Sequence, residues 1–353
     1  MLLLENIPLA PLTTIKIGGP ARYFVEAGNA GEVQEAVIFA RSRNLPLFVL
    51  GGGSNLVVAD AGWPGLVLKI AVQGINQVQP SGHDDEGKIL FDAGAGESWD
   101  KFVSHTVMAR CAGVECLSGI PGSVGGTPVQ NVGAYGQEVS EIIASVQVLD
   151  LRDNQVRELC PEACGFSYRT SIFNTSERGR FIVLRVTYAL TPGGNPRISY
   201  ADLQRHFEGR ETPPNLAETR EAVRYIRTRK GMLITPGDPD CMSAGSFFKN
   251  PVLSEEQHEN LKQRAAARGL AVPSYPALET RKKVSAAWLV ERSGFSKGFG
   301  FGRVGISTKH ALAIVNRGGA TAADVLALKE QIQHRVEEIW GVQLEPEPVM
   351  LGV

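Results

Sequence analysis

The stretch SGIPGSVGGTPVQNVGAYG occupies residues 118–136. Its nineteen residues include six glycines, two prolines and three serine or threonine hydroxyls, and not one charge. Gly and Pro inside a helix cost about 1 and 3 kcal/mol each, so this is not a helix. It lacks a lysine, so it is not a phosphate loop of the GxxxxGK[ST] kind. Bare backbone lets N–H groups approach a ligand closely, and successive N–H groups in turns form concave nests that bind anions. The stretch reads as a binding loop.

A second glycine segment, GGGSN at 51–55, follows the short apolar run LPLFVL. Together the two suit the two phosphates of a dinucleotide. Either one alone is also consistent with a tight turn. Gln130, Asn131 and Tyr135 lie among the glycines of the longer stretch. They can hydrogen-bond or stack on a flat heterocycle without adding charge.

Outward from these segments the chain alternates strand and helix. Val33, Ala36, Val37 and Ala40 share one helical face, and LPLFVL is a buried strand. GLVLKI (65–70), KILFDAGAG (88–96), IIASVQVLDL (142–151) and GRFIVLRVTYALT (179–191) read as strands. SWDKFVSHTVMARCAG (98–113) reads as an amphipathic helix ending at Gly113. Beyond a loop-rich boundary near 195–215 come three helical patterns, 217–231, 285–294 and 321–341. In the last, Thr321 and Asp324 resemble a capping box, and Val325, Leu328, Ile332, Val336 and Ile339 form a core stripe. The class is α+β.

The 353 residues suffice for two domains and a large core. A net charge of −1 supplies no global field for nucleic acid or anionic membrane. No run approaches 18 apolar residues, so no membrane span is expected. MLLLENIPLAPLTT lacks a basic n-region and reads as no signal peptide. The five cysteines form no CxxC pair, and no histidine falls at zinc spacing. CPEAC (160–164) is too little for a metal site, so no metal is expected. Reduced thiols and a cytoplasmic location follow.

GGGSNLVV together with GIPGSVGGTPVQNVGAYGQEV closely resembles the FAD-binding fingerprint of the UDP-N-acetylenolpyruvoylglucosamine reductases, enzymes of peptidoglycan precursor synthesis. TTIKIGGPARYF (13–24), GFSYRTSIF (165–173), AGSFFKNP (244–251) and LEPEPVMLG (344–352) are similar to further family segments, in family order. The resemblance implies a two-subdomain FAD-binding domain of the PCMH (vanillyl-alcohol-oxidase) type at 1–205, split near 72. A smaller α+β substrate-binding domain at 206–340 and a C-terminal segment at 341–353 returning to the active site complete it. It implies non-covalent FAD held by Gly51, Gly52, Gly53, Ser54, Asn55, Gly119, Ile120, Pro121, Gly122, Ser123, Gly125, Gly126, Asn131, Gly133, Ala134 and Tyr135. Neither segment contains a histidine or cysteine for covalent attachment, although Cys116 lies just upstream.

The implied reaction reduces an enol ether, C=C–COO⁻, with NADPH as electron source and UDP-N-acetylglucosamine enolpyruvate as substrate. It needs a charge stabiliser and an acid. The resemblance makes Arg169 the stabiliser, Ser246 the proton donor and Glu347 an aid to the enolate. Read from the residues alone, Arg169 is a surface arginine and Ser246 a cap or turn hydroxyl. Two prolines hold LEPEPVML extended, so Glu345 and Glu347 point the same way. Register against the terminal Leu-Gly selects Glu347, with Glu345 as runner-up. Lys230 and Asn250 are the implied diphosphate and polar contacts, with Tyr168, Tyr200 and His310 beside the substrate. His310 also suits simple packing on a helix. The segment 230–246 is longer than in the commonest members, and Pro348 replaces a usual valine. A monomer or weak oligomer is expected. Two other readings fit parts of the chain: an FAD-linked oxidase or dehydrogenase of hydroxy acids or lactones, and a sugar-nucleotide-binding protein without catalysis.

Overall fold

Val33, Ala36, Val37 and Ala40 are buried along one side of the helix Ala30–Ser42, as their spacing requires. Asn29 caps it by accepting from the Glu32 N–H. The computed structural model describes residues 1–79, 87–277 and 280–353. These form two units built from interleaved segments. The first comprises Met1–Ile7, Ala21–Gly53 and Trp63–Arg229, the second Pro8–Pro20, Ser54–Gly62 and Lys230–Val353.

In the first unit the strands Leu3–Pro8, Pro20–Ala27, Trp63–Ile70 and Leu47–Leu50 form one sheet in that spatial order. Trp63–Ile70 runs parallel to both its neighbours. Leu66, Val67 and Leu68 are fully buried in it, as a parallel strand covered on both faces requires. A second, antiparallel sheet centres on Phe181–Pro192, flanked by Ile143–Asp150 and Ile89–Gly94. The helix Trp99–Met108 packs on this sheet. Trp99 and Phe102 meet Tyr188 with ring centroids 5.7 and 4.7 Å apart.

The helix expected over 98–113 stops at Met108. Arg110 turns into the left-handed region (φ 56°), and Cys111–Ala112 pairs with the end of the central strand. That pairing takes up backbone groups the helix would have used.

The second unit packs around the helix Ala322–Trp340. The Thr321–Asp324 capping box is present, and Val325, Leu328, Ile332 and Val336 are fully buried while Ile339 packs partly buried against them. A second capping box, Ser254 with Gln257, opens the helix Glu255–Ala266. Periodicity does not reveal this helix because only Leu261 and Ala265 of it are buried. Distant segments are bound into the unit. Leu56–Val58 pairs in parallel with Val349–Leu351, and Asn316 Nδ2 donates to the Ile15 carbonyl (3.0 Å). Among the described residues no helix is long and apolar enough to cross a membrane.

Asp60 supplies the N-terminus of Ala322–Trp340 from far away in sequence. Its carboxylate accepts from the N–H groups of Ala322 (2.7 Å) and Ala323 (3.1 Å), where the helix dipole favours negative charge. Asp60→Ala leaves two amides of the first turn without this partner. It is expected to destabilise the second unit by about 1–2 kcal/mol. Thermal denaturation followed by circular dichroism reads the loss, and an unchanged melting temperature contradicts it.

Candidate functional site

The two glycine segments meet in the first unit. A Cβ on Gly52 would lie 2.5 Å from the Gly122 Cα, and one on Gly51 would lie 2.9 Å from Ser123 Oγ. A Cβ on Gly125 would lie 2.5 Å from that of Ala95. These three positions therefore take glycine because backbone packs on neighbouring residues there. The stretch is pinned to the sheet and helix beneath it. Trp99 N–H donates to the Gly122 carbonyl (3.1 Å), Val124 N–H to Glu97 (2.9 Å) and Gly125 N–H to Ala95 (2.9 Å). Gly53, Gly119 and Gly122 have positive φ, which only glycine adopts without cost. Ile120 and Pro121 span the half-buried bend between the last two.

Gly126 differs from all of these. Its φ is not in the left-handed region, it is exposed, and its closest neighbour to an added Cβ is Ser123 Oγ at 4.0 Å. No protein packing explains glycine there. Beside it, Ser123 Oγ is buried with no hydrogen-bond partner among the described residues. Buried polar atoms are ordinarily satisfied. An open backbone approach next to an unsatisfied hydroxyl fits a polar, phosphate-bearing cofactor such as FAD.

Further along, Gly133–Ala134 pairs with Gln137–Glu138 across a tight turn at Tyr135 and Gly136, both at positive φ (49° and 86°). Asn131 is also left-handed (φ 42°). Its side chain is engaged within the protein. Nδ2 donates to Glu138 (2.9 Å) and to the Ser167 carbonyl (3.1 Å), and Oδ1 accepts from Ser140 N–H (3.1 Å). Any contact of Asn131 with FAD thus falls to its backbone.

Tyr168 and Arg169 sit at the tip of a turn closed by reciprocal bonds between Ser167 and Thr170 (3.0 and 3.1 Å). Arg169 is left-handed (φ 57°). Its Nη2 donates to the Gly133 carbonyl (2.8 Å), and its guanidinium lies 5.4 Å from the Tyr168 ring centre. Such outliers cost about 1–3 kcal/mol each and cluster at functional sites. Tyr200, half exposed, meets Tyr135 edge to face at 5.3 Å. Cys116 is fully buried and donates to the Arg197 carbonyl (3.2 Å). Burial pushes its thiol well above the ordinary range.

Sequence reasoning overlooked an ionic cluster beneath Gly119. Asp100 Oδ1 accepts from the Gly119 N–H (2.6 Å). The same carboxylate receives Arg220 through two bonds (2.7 and 3.0 Å) and Arg224 through one (2.8 Å). Arg227, 8% exposed, donates from Nε to the Gly119 carbonyl (3.2 Å). Burial raises the Asp100 carboxyl, but the Arg220 and Gly119 hydrogen bonds and the two arginine charges outweigh it, so the group lies below its ordinary value. The three arginines fall at i, i+4 and i+7 of the helix Leu216–Arg229. That spacing was the available signal, but it also describes a solvated charged face.

In the second unit, Gly245 (φ 76°) turns the chain into Ser246, Phe247 and Phe248. The two phenylalanines are buried and fix the segment, and Ser246 is half-buried. Phe247 N–H donates to Leu312 (2.7 Å), and the Phe247 carbonyl accepts from the Glu347 N–H (2.9 Å). The segment that carries Ser246 thereby runs alongside the segment that carries Glu347, in the pairing centred on Phe248 and Pro346. Asn55 Nδ2 donates to the Glu347 carbonyl (3.2 Å), and the preceding Ser54 carbonyl accepts from Thr14 Oγ1 (3.4 Å). Glu345 points outward, 76% exposed, with Lys249 Nζ at 3.2 Å. Asn250 Oδ1 accepts from Ala286 N–H (2.9 Å) and so helps start a helix. Lys230 follows the end of Leu216–Arg229, before a left-handed Gly231. His310 lies in a turn, not on a helix, and its Nδ1 accepts from Leu312 N–H (3.1 Å).

Residues 21–159 match the family described as FAD binding domain. Residues 238–351 match the C-terminal domain of UDP-N-acetylenolpyruvoylglucosamine reductase. The UDP-N-acetylenolpyruvoylglucosamine reductase of Thermobifida fusca (strain YX) is 45% identical over 356 residues, covering 99% of this chain and 98% of the relative. That of Streptomyces coelicolor is 46% identical over 357 residues, covering 99% and 90%. The crystal structure of the Thermus caldophilus reductase superposes with a TM-score of 0.66 at 27% identity, covering 99% of this chain and all of that one. The expected class holds: a mixed helix-and-strand chain with an FAD binding domain and the C-terminal domain of the reductase. With relatives this similar aligned end to end and both parts of the chain matched, the chain belongs to the UDP-N-acetylenolpyruvoylglucosamine reductase family.

Proposed function

We propose that the chain reduces the enolpyruvyl ether of UDP-N-acetylglucosamine enolpyruvate to the lactyl ether, giving UDP-N-acetylmuramate for peptidoglycan precursor synthesis, with NADPH as electron source. The observation that carries this reading is the hydrogen-bonded pairing of the Ser246 segment with the Glu347 segment (Phe247 carbonyl to Glu347 N–H, 2.9 Å). It supports the reading by bringing alongside each other the two segments that carry the acid and the enolate partner the chemistry requires. The oxidase or dehydrogenase alternative accounts for the FAD-binding segment alone, whereas the family match continues through 238–351. The protein acts in the cytoplasm as a monomer or weak oligomer.

Gly51, Gly52, Gly53, Ile120, Gly122 and Ser123 offer backbone N–H groups to the FAD diphosphate, with Ser123 Oγ as an added polar contact and Gly126 as an open backbone approach. The loop 131–135 lines the flavin side. Bound there, FAD would supply hydride chemistry for reduction of the substrate double bond. Arg169 grips the substrate carboxylate and holds the negative charge that develops there, an electrostatic role preorganised by its bond to Gly133. Ser246 Oγ delivers a proton to the other carbon. A serine is a weak acid in water, but an enolate is strongly basic. Glu347 stays near the substrate carboxyl, protonated or paired, because two bare carboxylates repel. Lys230 and the amide nitrogen of Asn250 take the diphosphate side, and Tyr168, Tyr200 and His310 line the substrate.

Gly126→Val places a branched side chain where no protein atom stands closer than 4.0 Å. It is expected to leave the melting temperature of the apoprotein unchanged and to abolish flavin retention. Gly52→Ala, which meets Gly122 at 2.5 Å, is expected to lower both. A Gly126→Val protein that purifies with full flavin absorbance refutes the assignment.

Ser246→Ala is expected to leave bleaching of the flavin by NADPH almost unaltered, because that half-reaction takes no proton from serine. Re-oxidation by the enolpyruvyl substrate should slow by about 10²–10⁴. Stopped-flow absorbance separates the halves, and equal slowing of both assigns Ser246 to positioning the flavin instead.

Glu347→Gln keeps size and shape and removes the carboxylate. Turnover should fall by about 10² or more with flavin content and substrate affinity little changed. Glu345→Gln should be mild, because its exposed pair with Lys249 is of a kind worth about 0–1 kcal/mol. Steady-state kinetics on both variants test the register, and a severe Glu345 defect beside a mild Glu347 defect reverses it.

A further inference from the structure

We infer that Asp100 is a positioning residue for the FAD cradle, acting through Gly119, whose N–H it grips while Arg227 grips the carbonyl on the other side of the α-carbon. The inference rests on the cradle reading above. Gly119 is the first glycine of the long stretch, and its φ of 70° leaves the peptide no regular partner. Both of its polar groups are taken by charged side chains, the N–H by Asp100 (2.6 Å) and the carbonyl by Arg227 (3.2 Å). Hydrogen bonds to charged groups are shorter and stronger than neutral ones. They fix the two peptide planes that flank the Gly119 α-carbon, and with them the direction in which Ile120, Pro121 and Gly122 leave.

Asp100 is itself held. Three bonds from Arg220 and Arg224 fix its carboxylate, and its place in the first turn of Trp99–Met108 fixes its backbone. The adjacent Trp99 N–H holds the Gly122 carbonyl (3.1 Å). One helix terminus therefore grips the bend at both Gly119 and Gly122. The cluster carries three arginine charges against one carboxylate. Removing the carboxylate charge makes the ground under the cradle more positive, which by itself attracts a diphosphate more strongly. Positioning and background charge thus predict opposite signs for one substitution.

Asp100→Asn is nearly isosteric and separates them. FAD is titrated into the apoprotein by fluorescence quenching, and riboflavin, which lacks the diphosphate, is titrated in parallel. The expected result is an FAD dissociation constant raised by about tenfold, a riboflavin constant raised far less, and partial recovery of FAD affinity in Asp100→Glu. Unchanged or tighter FAD binding overturns the inference, as does equal loss of FAD and riboflavin, which marks general loosening. If Asp100→Asn does not fold, Arg224→Lys keeps the positive charge, disturbs the Arg224 bond to Asp100 and leaves the Gly119 contact. It should then weaken FAD about threefold relative to riboflavin, and no change overturns the inference. Gly126→Val runs beside both. If it loses flavin while the Asp100 and Arg224 variants keep theirs, the positioning role fails alone. If it also keeps flavin, the cradle reading fails and takes the positioning role with it.

Discussion

The bare α-carbons of Gly52 and Gly125 set the terms for the binding face of the first unit. A single methyl at either would come within 2.5 Å of Gly122 or Ala95, closer than carbon atoms approach without displacement. Because neither is present, an uncharged loop with little regular structure lies directly on a sheet edge and a helix start. Its carbonyls and amides then find partners in Trp99, Glu97 and Ala95. Packing density here serves ligand access: the closer the loop lies, the more of its backbone is fixed in direction.

The same economy governs the residues around it. Asn131, Tyr135 and Arg169 are all held in left-handed backbone, where side-chain residues are rarely stable. Asn131 and Arg169 are anchored by side-chain hydrogen bonds, and Tyr135 packs edge to face on Tyr200. Arg169 shows the consequence most directly. Its guanidinium is braced on the Gly133 carbonyl, so the glycine loop fixes the direction of a cation carried by a separate turn. In the second unit the bracing is done by burial, with Phe247 and Phe248 sunk in the core on one side of Ser246.

Much of this was legible from residue type. Glycine and proline at 118–136 could mean only a loop, and the core positions of Ala30–Ser42 and Ala322–Trp340 followed from period. Other features left no trace of that sort. The helix Glu255–Ala266 buries only Leu261 and Ala265, so its apolar stripe is too thin to read, although its capping box was there. Cys111–Ala112 continues a helical pattern but is claimed by a strand, a tertiary decision that no local propensity records. The arginines at 220, 224 and 227 have the spacing of a solvated face, and what turns them inward is an aspartate more than a hundred residues away. Chemistry carried by one residue was visible, whereas chemistry carried by a pair was not.

The parallel pairing of Leu56–Val58 with Val349–Leu351 bears on how the molecule comes into being. A strand made early must wait for one made nearly three hundred residues later. At about 5–20 residues per second of synthesis the delay is roughly 15–60 s. Throughout it Leu56, Val57 and Val58, all buried in the finished protein, lack their partner strand. Ile15 and Ile17 belong to the same late-completed core. Contacts of such long range slow folding, and unpaired apolar strands invite association. Nascent chains therefore carry this apolar segment without its partner strand for most of their synthesis, and the unit closes only when the last strand is made.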